Sequence, residues 1–454
     1  MGKKEDNWWS MAGVVALALV LPVLLRGVNY LQRWMAGAEG RLAAINVDVE
    51  RPIGPLPQPW RALAQGGENL KTFLDGREEA VKQLGPQYIR IDHIYDGFNV
   101  VGMENNSLKF NWSELDTLVD KILATGAMPF FSLSYMPAAI ASGDEVSEPR
   151  DWNLWADVVR KTIEHYSGEK KLEGIYYEVW NEPDLFGKWK MGGKKDYKKL
   201  YLYAATGARE AENVLAFKLG GPATTGLYRN WLDKFFPFIL ENNLRLDFFS
   251  WHRYDLNTSK YAEDVTSIDR WLDSHPYFAN VEKIVSEMGP QSEAGGVNDT
   301  SQGAVYLIAG QRELMYKAKM GFNFAVAGSW GVLDKPRGEA LKMLGVLGGQ
   351  RLSVSGEGTW VRAIGAIKDG TYQILVANYD PKGSHSEVVP VSFMNLKNNN
   401  FVLKQTFLSG KTFQEEVATT AAVWQKQIAM TPNSAVLLEL TPVIKPQASS
   451  LNSQ

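Results

Sequence analysis

Between about Trp60 and Trp330, short β-branched or aromatic runs alternate with longer amphipathic stretches rich in Lys, Glu, Leu and Ala. That alternation is the signature of parallel βα units. Strands are predicted near Trp60 to Leu63 and at Tyr88 to Asp92, Met128 to Ser134, Gly174 to Trp180, Lys218 to Gly221, Leu246 to Trp251, Lys283 to Ser286 and Phe322 to Ala327. Ser113 to Ala124, Trp152 to Tyr166, Tyr197 to Val214 and Gln302 to Met320 have helical spacing and length. Eight strands, each followed by a helix, make a (β/α)8 TIM barrel of α/β class. The competing architecture, a doubly wound open sheet, wants a glycine-rich phosphate turn after its first strand, and Gly66-Gly67 is a poor match.

A barrel uses about 250 to 300 residues, so a chain of 454 has room for one further domain. Past Gly349 the texture changes to period-two runs broken by turn signals: Trp360 to Ile367, Asp369-Gly370, Tyr372 to Asn378 and Ala435 to Leu440. These predict a C-terminal β-sandwich. A stray run before the barrel, Ala43 to Val49, is expected to add an edge strand to that sandwich and clamp the two domains together. The division expected is a polar start (1–7), an apolar segment (8–25), a linker (26–42), a strand joining the sandwich (43–52), the barrel (53–348), the sandwich (349–444) and a disordered tail (445–454).

From Trp8 to Leu25 runs an uncharged apolar stretch of 18 residues, flanked by Lys3 and Lys4 on one side and Arg26 on the other. It is long enough to span a bilayer as a helix. A cleaved signal peptide is the alternative, with Ala36-Gly37-Ala38 as a small-x-small cleavage site, but the run exceeds the usual signal core of about 7 to 15 residues. A transmembrane anchor is therefore expected, with the catalytic portion extracytoplasmic. The flanking charges nearly balance and do not orient it.

Composition removes several function classes. The net charge is −3, and 48 Lys and Arg are interspersed with 51 Asp and Glu, so no basic stripe speaks for nucleic acid. Cysteine is absent, which excludes disulfides, thiolate metal sites and Cys nucleophiles. The histidines, His93, His165, His252, His275 and His385, show no metal-ligand spacing, and no Gly-x-Ser-x-Gly elbow is present. No metal or cofactor is expected.

Chemistry is carried by two strand-end glutamates. In Gly174-Ile-Tyr-Tyr-Glu-Val-Trp-Asn-Glu-Pro-Asp184, Asn181 and Glu182 stand where a buried strand runs into a loop that Pro183 forces, which in a βα barrel is the catalytic rim. The competing structural reading is a Glu that caps the next helix. Lys283-Ile-Val-Ser-Glu-Met-Gly-Pro290 sets Glu287 at a second strand end, 105 positions on, or about three βα units of roughly 35 residues. Glycoside hydrolysis needs two carboxyls flanking the anomeric carbon, one protonated and one ionised. Glu178, four residues deeper than Glu182, reads as a packed carboxylate paired with Arg90. Between the two glutamates, His252 and Tyr254 reach the same rim, Tyr254 able to hydrogen-bond the nucleophile and His252 to orient a neighbour. Trp330, after the eighth strand, is expected to floor a sugar subsite.

With these residues in hand the chain resembles glycoside hydrolase family 39, the β-xylosidase and α-L-iduronidase group of the Asn-Glu clan. The likeness spans about residues 43 to 442 and rests on Tyr88-Ile-Arg90, Met136-Pro137, Tyr177-Glu-Val-Trp-Asn-Glu-Pro183, Gly220-Gly-Pro222, Ser286-Glu287 and Leu375 to Tyr379. It implies a retaining glycosidase with Glu182 as acid/base and Glu287 as nucleophile, a carbohydrate as substrate, and Asn181, His252, Tyr254, Trp330, Arg90, Asp92 and His93 at the sugar. One departure stands out. Where the family usually has Arg-x-His-Gly, this chain reads Arg90-Ile-Asp92-His93-Ile94, so the sugar-contacting His is replaced by Asp92 or displaced by one residue. Two other readings are an anchored endo-glycosidase trimming an exported polysaccharide, and a carbohydrate-binding barrel without chemistry, which would be expected to lose one carboxylate.

Overall fold

The computed structural model describes residues 40–397 and 400–443. The anchor expected at 8–25 and the tail at 445–454 lie outside them. Among the described residues no helix is long and apolar enough to cross a membrane.

Nineteen strands are numbered in chain order. The first, β1 (Ile45–Pro55), precedes the barrel strands β2 (Ala62–Gln65), β3 (Tyr88–Ile91), β6 (Met128–Leu133), β7 (Ile175–Val179), β8 (Phe217–Thr224), β9 (Phe248–Tyr254), β10 (Glu282–Gly289) and β11 (Met320–Phe324). These eight close into a barrel, each pairing in parallel with its neighbours. The intervening helices start on side-chain caps where the sequence supplies them: Asp151 accepts from the Asn153 amide, Asp196 from Lys198 and Thr300 from Gly303. The helix expected to run to Tyr166 continues past Ile163 as a π-helical turn to Glu169, whereas those expected to reach Val214 and Met320 end earlier, at Glu210 and Leu314. A hairpin of β4 (Val101–Glu104) and β5 (Ser107–Phe110) follows the second barrel strand. Asn105 and Asn106 turn it in the left-handed region, at φ 48° and 63°, where Asn is tolerated.

Side-chain parity builds the barrel interior. Ala62, Ala64, Tyr88, Phe130, Tyr176, Phe248, Ile284, Met320 and Phe322 pack into a dry plug at the lower end. The same parity carries Tyr88 up to Arg90 and Asp92, Tyr176 to Glu178, and Phe248 to His252 and Tyr254, so the residues that follow the plug line the mouth.

The C-terminal domain differs from the expected two-sheet sandwich. β12 (Gln350–Ser355), β13 (Val361–Lys368), β14 (Thr371–Asn378), β15 (Glu387–Met394), β16 (Asn400–Phe407), β17 (Thr412–Ala418), β18 (Val423–Met430) and β19 (Ser434–Pro442) join β1 in one nine-stranded sheet. Its order is β17-β16-β19-β14-β13-β12-β1-β15-β18. The Asp369-Gly370 turn signal sits at the β13–β14 hairpin, both residues at positive φ. The sheet curls until its edges meet, and Lys426 on β18 pairs with Glu415 on β17. The stray N-terminal run is likewise not an edge strand. β1 lies inside the sheet, antiparallel to β12 and parallel to β15, and joins what would otherwise be two separate sheets. Its alternation explains this, since Ile45, Val47 and Val49 face the curled sheet's core while Asn46 and Asp48 do not. The sheet meets the barrel through paired ions, Arg312 with Glu357 at 2.8 Å and Arg362 with Glu313 at 3.0 Å. The Tyr379 hydroxyl also donates to the Leu256 carbonyl at 2.6 Å.

Ile45 is wholly buried at that junction. Ile45→Ala should cost about 2 to 5 kcal/mol of unfolding free energy, measured by denaturant titration. A loss under about 1 kcal/mol would mean that β1 does not hold the sheet together.

Candidate active site

At the C-terminal end of the barrel strands lies a cavity of about 420 Å³ whose lining includes Asp92, His93, Asn181, Glu182, Tyr254, Glu287 and Trp330. Beneath it sits Arg90, fully buried, each arm of its guanidinium engaged: Nε donates to Glu178 at 2.7 Å, Nη1 to Glu287 at 2.8 Å and Nη2 to Asn181 at 2.8 Å. Burial opposes this charge, but Glu178, Glu287 and Asp92 outweigh the penalty and hold the guanidinium more firmly protonated than usual. The expected Glu178–Arg90 pair is thus present as part of a larger network.

Glu287 accepts at both oxygens, from Arg90 at Oε1 and from the Tyr254 hydroxyl at Oε2, 2.8 Å away. Burial and the Glu287 charge raise Tyr254 well above its ordinary value, so it stays a donor. Glu182 makes a different set of contacts. Its one side-chain partner is His252, whose Nδ1 lies 2.9 Å from Oε1 and 3.5 Å from Glu287 Oε2. Burial disfavours a charged His252, yet the facing Glu287 and Glu182 carboxylates prevail and raise it above its ordinary value. Arg90 pairs Glu178 and His252 orients Glu182, as their strand positions suggest. They are wholly buried and absent from the cavity wall, where they hold the two glutamates in place.

Local backbone aims each glutamate. On β10, Ile284 faces the inner plug while Val285 packs outside it, so plain alternation would send Ser286 inward and Glu287 outward. A bulge between Val285 and Glu287 reverses the order and sets Glu287 beside His252, with Met288 outside. After β7, Trp180 and Glu182 take left-handed conformations at φ 76° and 44°, uncommon for such residues and concentrated at functional sites.

The sugar-contact candidates divide. Asn181 holds Arg90 and donates to the Tyr135 hydroxyl at 2.9 Å. Trp330 is fixed by its indole nitrogen on the Ser292 carbonyl at 2.8 Å and contributes to the cavity wall. His93, at φ 53°, turns Nδ1 to Asp96 at 2.7 Å. Gln65, Glu68, Tyr135, Phe186 and Phe324 also line the cavity and were not singled out from sequence. Strand-end position would have found Gln65 and Phe324, the last residues of β2 and β11. Gly66-Gly67, a poor phosphate turn, belongs to this wall instead. A Cβ at Gly67 would stand 3.0 Å from the His93 ring, and one at Gly66 would stand 3.1 Å from Phe324.

Glu182, His252 and Glu287 each offer a ligand atom within 4.8 Å of the others, the metal-like grouping found among the described residues. Sequence spacing could not reveal it, because three separate strands supply it. A dication there would displace the hydrogen bonds on Glu287 and face the fixed charge of Arg90, so these residues fit a metal poorly.

Asp92 is only 4% exposed, and its Oδ1 has no hydrogen-bond partner. Burial raises its pKa from 3.8 to about 6, with Glu287 and Asp96 adding to the shift and His93 and Arg90 opposing it. The folded state therefore holds this proton more tightly than the unfolded chain. The resulting stability is full below about pH 4 and is lost as pH rises through about 6. Two pKa steps at about 1.36 kcal/mol each put the cost near pH 7 at roughly 3 kcal/mol. Asp92→Asn should accordingly raise Tm at pH 7 and change it little near pH 4. An equal offset at both pH values would contradict this.

The family model described as glycosyl hydrolases family 39 matches residues 43–268. A β-xylosidase of Geobacillus stearothermophilus is 31% identical over 200 residues, 40% of this chain and 39% of that one. Human α-L-iduronidase is 25% identical over 248 residues, 47% of this chain and 36% of its own. The chain thus spans less than half the length of these relatives. In fold, a monomeric β-xylosidase from Caulobacter crescentus CB15 superposes with a TM-score of 0.77 at 19% identity, covering 89% of this chain and all of that one. The match of residues 43–268 and the likeness to its β-xylosidases make this chain, through its barrel segment, a relative of glycoside hydrolase family 39.

Proposed function

We propose that the chain is a retaining glycoside hydrolase of β-xylosidase type, with Glu287 as nucleophile and Glu182 as acid/base. The observation that carries this reading is the spacing of the two carboxylates, an oxygen of each lying within 4.8 Å of the other. Retaining glycosidases keep theirs about 5 to 5.5 Å apart, whereas inverting ones leave about 6.5 to 9.5 Å for a water molecule. The unequal surroundings support the division of roles. Two donors, Arg90 and Tyr254, hold Glu287 still for attack. Glu182 stands nearer the mouth, 14% exposed against 7% for Glu287, where a leaving group or water can reach it.

Glu287 attacks the anomeric carbon as the bond to the leaving oxygen breaks, and Glu182 gives that oxygen its proton. A water then enters and Glu182 takes its proton. The oxygen bonds to the anomeric carbon and releases Glu287. His252, touching both carboxylates, fixes their mutual placement while the proton on Glu182 comes and goes. The β-xylosidase names among the relatives support the substrate type.

The apolar run at 8–25 supports a membrane-anchored setting with the barrel extracytoplasmic, with secretion after signal cleavage as the alternative. The same run favours a second reading in which the chemistry is kept and the enzyme trims an exported polysaccharide internally. Release of monosaccharides alone from a polymer would count against that reading. A non-catalytic binding barrel is disfavoured, since both carboxylates are present and close.

Glu287→Gln should leave no measurable turnover of aryl glycosides. Glu182→Gln should lose about 10²- to 10⁴-fold on substrates with poor leaving groups and recover on activated ones when azide is added. Ordinary activity in either variant would refute the assignment.

A further inference from the structure

Asp92 has no part in the bond-making steps above, yet it is the most anomalous charge in the cavity. It is 4% exposed, and its Oδ1 is buried without a hydrogen-bond partner. A buried carboxylate without donors is destabilising, and its retention calls for a ligand that supplies them. The rest of the lining sharpens what that ligand is. Among the described residues Glu68, Asp92, Glu145, Glu182 and Glu287 line the cavity, with His93 as their sole basic companion and no lysine or arginine.

The nearby guanidiniums are not free to help an anion. Arg90 is spent on Glu178, Glu287 and Asn181. Arg337, also buried, donates to the carbonyls of Phe324, Trp330 and Gly331, bracing the loop that carries Trp330. His93 turns one ring nitrogen to Asp96. A glycone bearing a carboxylate would therefore find acceptors where it needs donors, whereas a neutral sugar presents hydroxyl donors to those same acceptors.

We infer that Asp92 is the specificity-determining residue of this site, accepting hydroxyl donors from a neutral pyranoside and excluding uronosides. This rests on the hydrolase reading and deepens it. Asp92 and Glu287 line the same cavity, so a sugar bound there faces both. The raised affinity of Asp92 for a proton agrees with a carboxylate that lacks partners until the sugar arrives.

The test compares kcat/KM of the native protein and Asp92→Asn on 4-nitrophenyl β-D-xyloside and β-D-glucoside, and on the matched β-D-glucuronide and α-L-iduronide. The native protein should cleave a neutral glycoside and neither uronoside. Asp92→Asn should lose roughly 10- to 100-fold on the neutral substrate, as expected for a hydrogen bond to a charged group, while its Tm at pH 7 rises. A merely structural aspartate would show the opposite pairing, with lower Tm and unchanged selectivity. Native preference for a uronoside, or an Asp92→Asn protein with unaltered neutral-to-uronoside ratio, would overturn the inference while leaving hydrolysis intact. Failure of the native protein to cleave any of the four would remove both readings together.

Discussion

Arg90 carries a charge into the middle of the barrel, and the side chains that satisfy it come from three places: Glu178 on β7, Asn181 just beyond it, and Glu287 on β10. A buried cation is tolerated only when its hydrogen-bonding positions are filled, and removing one partner of such a pair typically costs about 3 to 5 kcal/mol. The guanidinium's rigid planar fork therefore acts as a ruler. It sets the height of Glu287 against the strand that leads to Glu182, and the spacing of the two carboxylates follows from that. Lysine, a point charge on a flexible stem, could not make three directed bonds at once.

The backbone completes what the guanidinium begins. The bulge in β10 turns Glu287 inward against the ordinary alternation, and the left-handed residues around Asn181 bring Glu182 over the mouth. Tyr254 and His252, on the strand between, then divide the two acids. One is fixed by two donors, and the other is left with a single adjustable neighbour. The same barrel rim thus gives two carboxyl groups different surroundings.

Much of the architecture was legible because parallel strands alternate with helices at a spacing that few other folds share. All eight barrel strands fall where their apolar runs predict, and Glu182 and Glu287 stand out because proline and glycine follow them at strand ends. The bulge was not legible, since Ile284 to Met288 reads as an unbroken strand. The path of β1 was not legible either. Alternation in Ile45 to Val49 announces a strand with one buried face, but the two neighbours that sandwich it lie some 300 residues away. Strand parity gives Arg90 and His252 their direction into the barrel but not their depth, and both are wholly buried beneath the cavity. Gly66-Gly67 shows the complementary limit, since its close approach to His93 and Phe324 is a tertiary fact.

The central claim, that an arginine-centred network sets two glutamates at the spacing of a double displacement, is tested most directly by the anomer first released. Proton NMR of the anomeric signal during the first minutes of aryl glycoside hydrolysis, before mutarotation, reports it. The account predicts a product with the configuration of the substrate. Initial release of the opposite anomer would show that water attacks the anomeric carbon directly and would contradict the account.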